Sequence, residues 1–187
     1  MTDQSNKMYP ANILLGVDGS EHALAGMQLL RDLPCVPESR IHAMTVWNGR
    51  SPVDKARLQA ALDEVGHRLE GGCAQVRTEL REGHAAENLV IAAKEQDVDL
   101  IVLGAKGLRS TLGFLMGGVA QQVVEHAHCA VLVMRAPYTG LRQVLLVTDG
   151  SATSRAAVQY MSRFSFPPGV HVRVCHVVAP GALPQFT

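Results

Sequence analysis

The run Leu100-Ile-Val-Leu103 is apolar at every position and stops at Gly104. A strand of that kind is covered on both faces, as in parallel sheets flanked by helices, whereas a half-exposed strand alternates apolar with polar. Parallel neighbours need crossovers of a dozen or more residues, usually helical. The rest of the chain should therefore alternate strand with helix. It does: "NILLGV" at 12–17 stops at Asp18-Gly19-Ser20, where Ser20 can cap a helix and Glu21 suits its positive end. "RIHAMTVW" at 40–47 reads as the next strand, and Ser51-Pro52-Val53-Asp54 supplies an N-cap, a proline at the first helical position and an acid in the first turn. That helix should end at Gly71-Gly72. "AQVRTELREG" alternates, "AAENLVIAAKEQ" returns to helical period, a helix is expected over 117–128, and "AVLVMRA" at 130–136 closes the unit. The fold class is α/β, an open, doubly wound parallel sheet with helices on both faces.

The opening of this unit is then repeated. "VLLVTDGSATSRAAVQYM" echoes "ILLGVDGSEHALAGMQLL" at a shift of 131 residues, which pairs Asp149 with Asp18 and Val177 with Val46. Residues 1–10 are expected to form a flexible arm, 11–137 a complete domain, and 138–187 a linker, at Tyr138-Thr139-Gly140, followed by strand, helix and strand. Such a βαβ piece cannot cover its own apolar faces and must find a partner surface.

Composition narrows the partners. Of 187 residues, 47% are hydrophobic and 18% charged, and Lys+Arg balance Asp+Glu at 17 each. A neutral chain offers no general attraction to nucleic acid or an anionic membrane, and neither is expected as a partner. Cys35, Cys73, Cys129 and Cys175 form no CxxC or metal-ligand spacing and are expected to be reduced thiols. With no apolar signal core near Met1, the expected location is the cytoplasm.

Ligands of open α/β sheets sit beyond the carboxyl ends of strands, where strand order reverses. Asp18 and Gly104 both occupy such ends, and if strands one and four are neighbours they face each other across one crevice. Glycines at 104 and 107 let a backbone approach a pyrophosphate, while Gly117 and Gly118 open a helix whose free N–H groups favour anions. Lys106 and Arg109 could add charge-assisted contacts.

Gly104-x2-Gly107-x9-Gly117 and Asp18-Gly19-Ser20-Glu21 carry a resemblance to the universal stress proteins, whose nucleotide signature is G-x2-G-x9-G followed by Ser or Thr. The likeness spans residues 11–137 and resumes over 141–180. It implies a five-stranded sheet of order 3-2-1-4-5 and an adenine nucleotide, ATP or else ADP or AMP, held with or without magnesium. Base and ribose would lie near Val17, Asp18, Gly19, Ser20 and Val46. Phosphates would lie on the loop through Gly104, Ala105, Lys106, Gly107 and Arg109 to Gly117, Gly118 and Val119. Asp18 is the candidate for holding magnesium. Gly118 departs from the pattern, standing where the family's ATP binders carry a hydroxyl; one hydrogen bond is thereby lost, worth about 0.5–1.5 kcal/mol. The resemblance also implies a homodimer paired through strand 130–136, in a stress-response role.

Other readings have less support. Asp-Gly-Ser is a common turn composition, Val46 reads as core, and Val119, Val123, Val124 and Ala127 read as the core stripe of their helix. His126 and His128 do not share a helix face, and His42, His84 and His176 lack partners at ligand spacing. Cys129 beside His128 shows no base-orienter arrangement. Neither Ser-Gly-Gly, Walker lysine nor G-x-G-x-x-G is present, so an enzyme is not expected and any ATP hydrolysis should be slow. The rival is a dimeric interaction protein whose crevice stays empty.

Overall fold

Two serines start the helices of the first half, each from an extended backbone position. Ser20 Oγ accepts the Ala23 N–H at 3.2 Å, and Ser51 Oγ accepts the Asp54 N–H at 3.3 Å, with Pro52 directly after the cap. The computed structural model describes residues 10–34, 38–72, 74–106 and 116–178. In order these form β1 (Asn12–Gly16), α1 (Glu21–Asp32), β2 (Arg40–Trp47), α2 (Pro52–Leu69), β3 (Gln75–Glu82) and α3 (Ala85–Glu95). Then come β4 (Leu100–Gly104), α4 (Gly118–His126), β5 (Ala130–Met134), β6 (Gln143–Thr148), α5 (Ala152–Ser162) and β7 (His171–His176).

The first five strands make one parallel sheet in the order β3-β2-β1-β4-β5, with β1 paired to β2 on one side and to β4 on the other. Alternate residues of β1 go to opposite layers. Ile13 and Leu15 pack with Met27 and Leu30 of α1 and Leu62 and Val65 of α2. Leu14 packs with Leu89 and Ala93 of α3 and Val123 of α4. The continuous apolar run of β4 follows from this double cover: Ile101 and Val102 are fully buried and serve opposite layers.

One boundary and one apolar stripe differ from the periodicity. Helix α4 ends at His126 instead of 128, because the Ala127 N–H still bonds the Val123 carbonyl while Ala127 itself is extended (φ −68°, ψ 141°). Its apolar stripe is also narrower than the spacing suggests: Val123 is buried, but Val119 is 43% and Val124 47% exposed. With nine residues, α4 turns only a short face to the sheet.

Beyond residue 138, β6 and β7 form a separate two-stranded parallel sheet. Its geometry reproduces that of β1 and β2 at the 131-residue shift. The Ser151 N–H bonds Asp149 Oδ1 at 2.9 Å as the Ser20 N–H bonds Asp18 Oδ1 at 3.0 Å, and Gly150 has φ +77° as Gly19 has +76°. Phe164 packs against the main core and Ser165 is buried, whereas β7 is exposed throughout and Leu145 and Val174 are 64% and 66% exposed. An apolar cleft of about 1110 Å³ separates Leu132 and Met134 of β5 from Ala157 and Met161 of α5.

One polar network, buried at His42 and open to solvent at Arg77 and Glu95, crosses three elements. His42 Nε2 on β2 lies 3.0 Å from Glu79 Oε2 on β3, and Glu79 also receives Arg81 at 2.7 Å and Arg77 at 3.1 Å. Arg81 extends it to Glu95 of α3 at 3.2 Å. Burial, the largest influence, holds the His42 imidazole below its ordinary 6.5, outweighing the attraction of Glu79. The native ring stays neutral where the unfolded one takes up a proton. Unfolding therefore binds protons, and stability falls as pH drops through about 6.5. Urea midpoints measured on either side of that pH should show this decline in the wild type and a smaller one in His42→Gln.

Candidate functional site

The end of β1 is turned by its own side chain. Asp18 Oδ1 accepts the Ser20 N–H at 3.0 Å, and Gly19 takes the left-handed conformation this turn requires. The Val17 N–H bonds the Met44 carbonyl at 2.8 Å, so the turn stays in line with β2. Across the sheet, the Ala105 N–H bonds Met134 O at 2.7 Å and the Gly117 N–H bonds Ala105 O at 2.7 Å. The two ends of the glycine segment are therefore tied at one residue, Ala105. The α4 ladder opens with the Gln121 N–H bonding Gly117 O, at 3.0 Å. The N–H groups of Gly118, Val119 and Ala120 precede that ladder, at the positive end of the helix.

Between these rims lies a cleft of about 330 Å³. It brings together Val17, Asp18 and Val46 on one side with Gly104, Lys106, Gly117, Gly118 and Val119 on the other. The sequence reading did not name Gly16, Met44, Ala85, Leu89, Leu103 and Ala120, which complete the lining and make the floor apolar. Their signal was present only as strand and helix periodicity, which does not distinguish a cleft wall from core. Such a cleft suits a flat apolar ring with an anion at the α4 end.

Three named residues do not line it. Ser20 is spent as the α1 cap and is 4% exposed, Gly19 shapes the turn, and Ala105 is 2% exposed beneath the loop stem. Gly107, Arg109 and Gly113 lie outside the described residues. Among the described residues, no three His, Cys, Asp or Glu converge to hold a metal ion. A magnesium ion shared with phosphates needs only one or two carboxylates, and Asp18 is the one that lines the cleft.

The two glycines at the rim have different physical reasons. A Cβ on Gly104 would lie 2.9 Å from His22 Cβ and 3.0 Å from the Ala23 nitrogen, so this glycine lets the first turn of α1 pack onto β4. The absent Cβ of residue 104 thus admits α1, while the residue also lines the cleft. A Cβ on Gly118 would meet nothing within 4 Å.

The order 3-2-1-4-5, two helical layers and a cleft at the switch point define a doubly wound α/β domain. Residues 10–135 match the Universal stress protein family, and the chain belongs to it. A universal stress protein of Methanocaldococcus jannaschii is 36% identical over 91 residues, covering 49% of this chain and 54% of that one. One from Mycobacterium tuberculosis is 24% identical over 163 residues, covering 81% and 59%. The chain thus spans under two thirds of the length of both relatives. Among solved structures, a universal stress protein in complex with cAMP superposes with a TM-score of 0.57 at 23% identity, over 70% of this chain and 100% of that one. An Arabidopsis thaliana member with AMP bound gives 0.51 at 17%, over 70% and 97%.

The Gly104 contacts predict that Gly104→Ala lowers stability by about 1–3 kcal/mol, as overpacking does. Gly118→Ala, facing open space, should change it by less than about 0.5 kcal/mol. Urea unfolding of both variants checks the pair.

Proposed function

We propose that this protein binds an adenine nucleotide in the cleft between the Asp18 turn and the α4 N-terminus, and acts as a nucleotide-dependent binding module in the stress response. The observation that carries the reading is the convergence of an apolar floor, Asp18 and the unladdered N–H groups of α4 in one cleft. Related structures holding cAMP and AMP support the adenine base. ATP is the proposed ligand, with magnesium shared between Asp18 and the phosphates, and ADP and AMP are weaker alternatives. Turnover, if any, is slow, since among the described residues Asp18 is the one carboxylate that lines the cleft. We place the protein in the cytoplasm.

The unit from β6 to β7 is, in this reading, the start of a second family domain. The 131-residue correspondence of turns and strands supports this, as does the Mycobacterium tuberculosis match, which covers more of the chain than residues 10–135. Two chains are proposed to pair through β5, whose strand "AVLVM" carries no charge to guard its open edge.

Calorimetric titration with ATP, ADP and AMP, each with magnesium, should give binding that Asp18→Ala weakens. Gly118→Ser should strengthen it about fivefold by restoring one phosphate hydrogen bond without a clash. Absence of heat from folded, nucleotide-free protein contradicts the proposal and favours the interaction-scaffold reading. Light scattering at micromolar concentration should give twice the chain mass of 20.1 kDa, and a monomer overturns the pairing.

A further inference from the structure

His22, the second residue of α1, makes a contact that joins distant parts of the chain at the cleft rim. Its Nδ1 accepts the N–H of Ala136, two residues beyond β5, at 2.7 Å. Its Cβ and carbonyl carbon lie within 2.9 to 3.1 Å of the place a Cβ would occupy on Gly104. One residue therefore touches the first turn of α1, the exit of β4 and the exit of β5.

We propose that His22 is a positioning residue for the glycine-loop rim and that it works only as a neutral imidazole. A ring nitrogen that accepts an N–H carries no proton, so in this arrangement the proton sits on Nε2. Protonation turns the acceptor into a donor and sets N–H against N–H, so the bond to Ala136 breaks. The charged groups on the surrounding elements are Asp18 at the exit of β1, Glu21 on α1, Lys106 beyond β4 and Arg135 beside Ala136. Freed from Ala136, the first turn of α1 shifts over Gly104. The next residue, Ala105, both donates to Met134 O and accepts from Gly117 N–H, so the movement reaches the N-cap of α4.

The proposal concerns the rim of the cleft, but its test uses nucleotide-free protein, so it stands or falls apart from nucleotide binding. Amide hydrogen exchange, corrected for intrinsic rates, is followed from about pH 8 to about pH 5, the range that spans imidazole titration. The imidazole resonances are followed in parallel by ¹⁵N NMR. In the wild type, His22 should show the Nε2-protonated tautomer at high pH. Ala136 and Gly117 should together lose about fivefold or more of their protection as the pH falls across that range. His22→Gln, whose side-chain oxygen accepts without titrating, should keep both amides protected across the range. His22→Phe should leave both weakly protected at every pH. The proposal is overturned if Ala136 loses protection while Gly117 does not, if His22 carries its proton on Nδ1, or if His22→Gln shows the wild-type pH dependence. Should His22→Phe not fold, the wild-type series and His22→Gln still decide.

Discussion

The pairing of β1 with β4 is the constraint from which the rest of the molecule follows. Ile13, Leu14 and Leu15 stand opposite Leu100, Ile101 and Val102, and a one-residue slip would turn both apolar sets to the wrong layers. A single side chain pins the start of that register. Asp99 Oδ2 accepts the N–H of Ala11 at 3.1 Å and of Asn12 at 2.8 Å, while the Asp99 N–H bonds Asn12 O at 2.8 Å. With the strands fixed at that end, the Asp18 turn and Gly104 must emerge side by side at the other. The cleft is a consequence of strand register before it is a matter of any one ligand-facing residue.

Glycine serves that rim in two ways. At 104 the missing Cβ is taken up by α1, so the residue connects helix packing to the loop stem. At 118 the missing Cβ leaves open space beside amide groups that precede the α4 ladder. The two glycines thus hold a packing position and an open position. Substituting the first perturbs the fold along with the site, whereas the second separates the two.

Much of the architecture was legible because it depends on local chemistry. Ser20, Ser51 and Pro52 announce helix starts, and Leu100 to Leu103 announce a strand covered twice. What stayed hidden depends on partners far apart in sequence. Asp99 belongs to no motif, and its partners lie 87 and 88 residues away. His42 reads as a histidine without partners until β3 carries Glu79 alongside, and His22 carries no sequence signal for its bond to Ala136, 114 residues on. The α4 stripe erred the other way: correct period, but a helix too short to bury Val119 and Val124. Within the candidate site, Asp18 and the glycines were visible as motif positions, whereas Met44, Ala85 and Leu89 line the cleft in the form of ordinary core residues.

The central claim is where the nucleotide sits, and the most direct measurement is an amide NMR titration of the nucleotide-free protein with AMP, resolved by residue. The account predicts that saturable shifts gather at Asp18, Val46, Lys106, Gly117, Gly118 and Val119, the two rims of one cleft. Shifts gathered instead in the apolar cleft between β5 and α5, or spread without saturation, would contradict it.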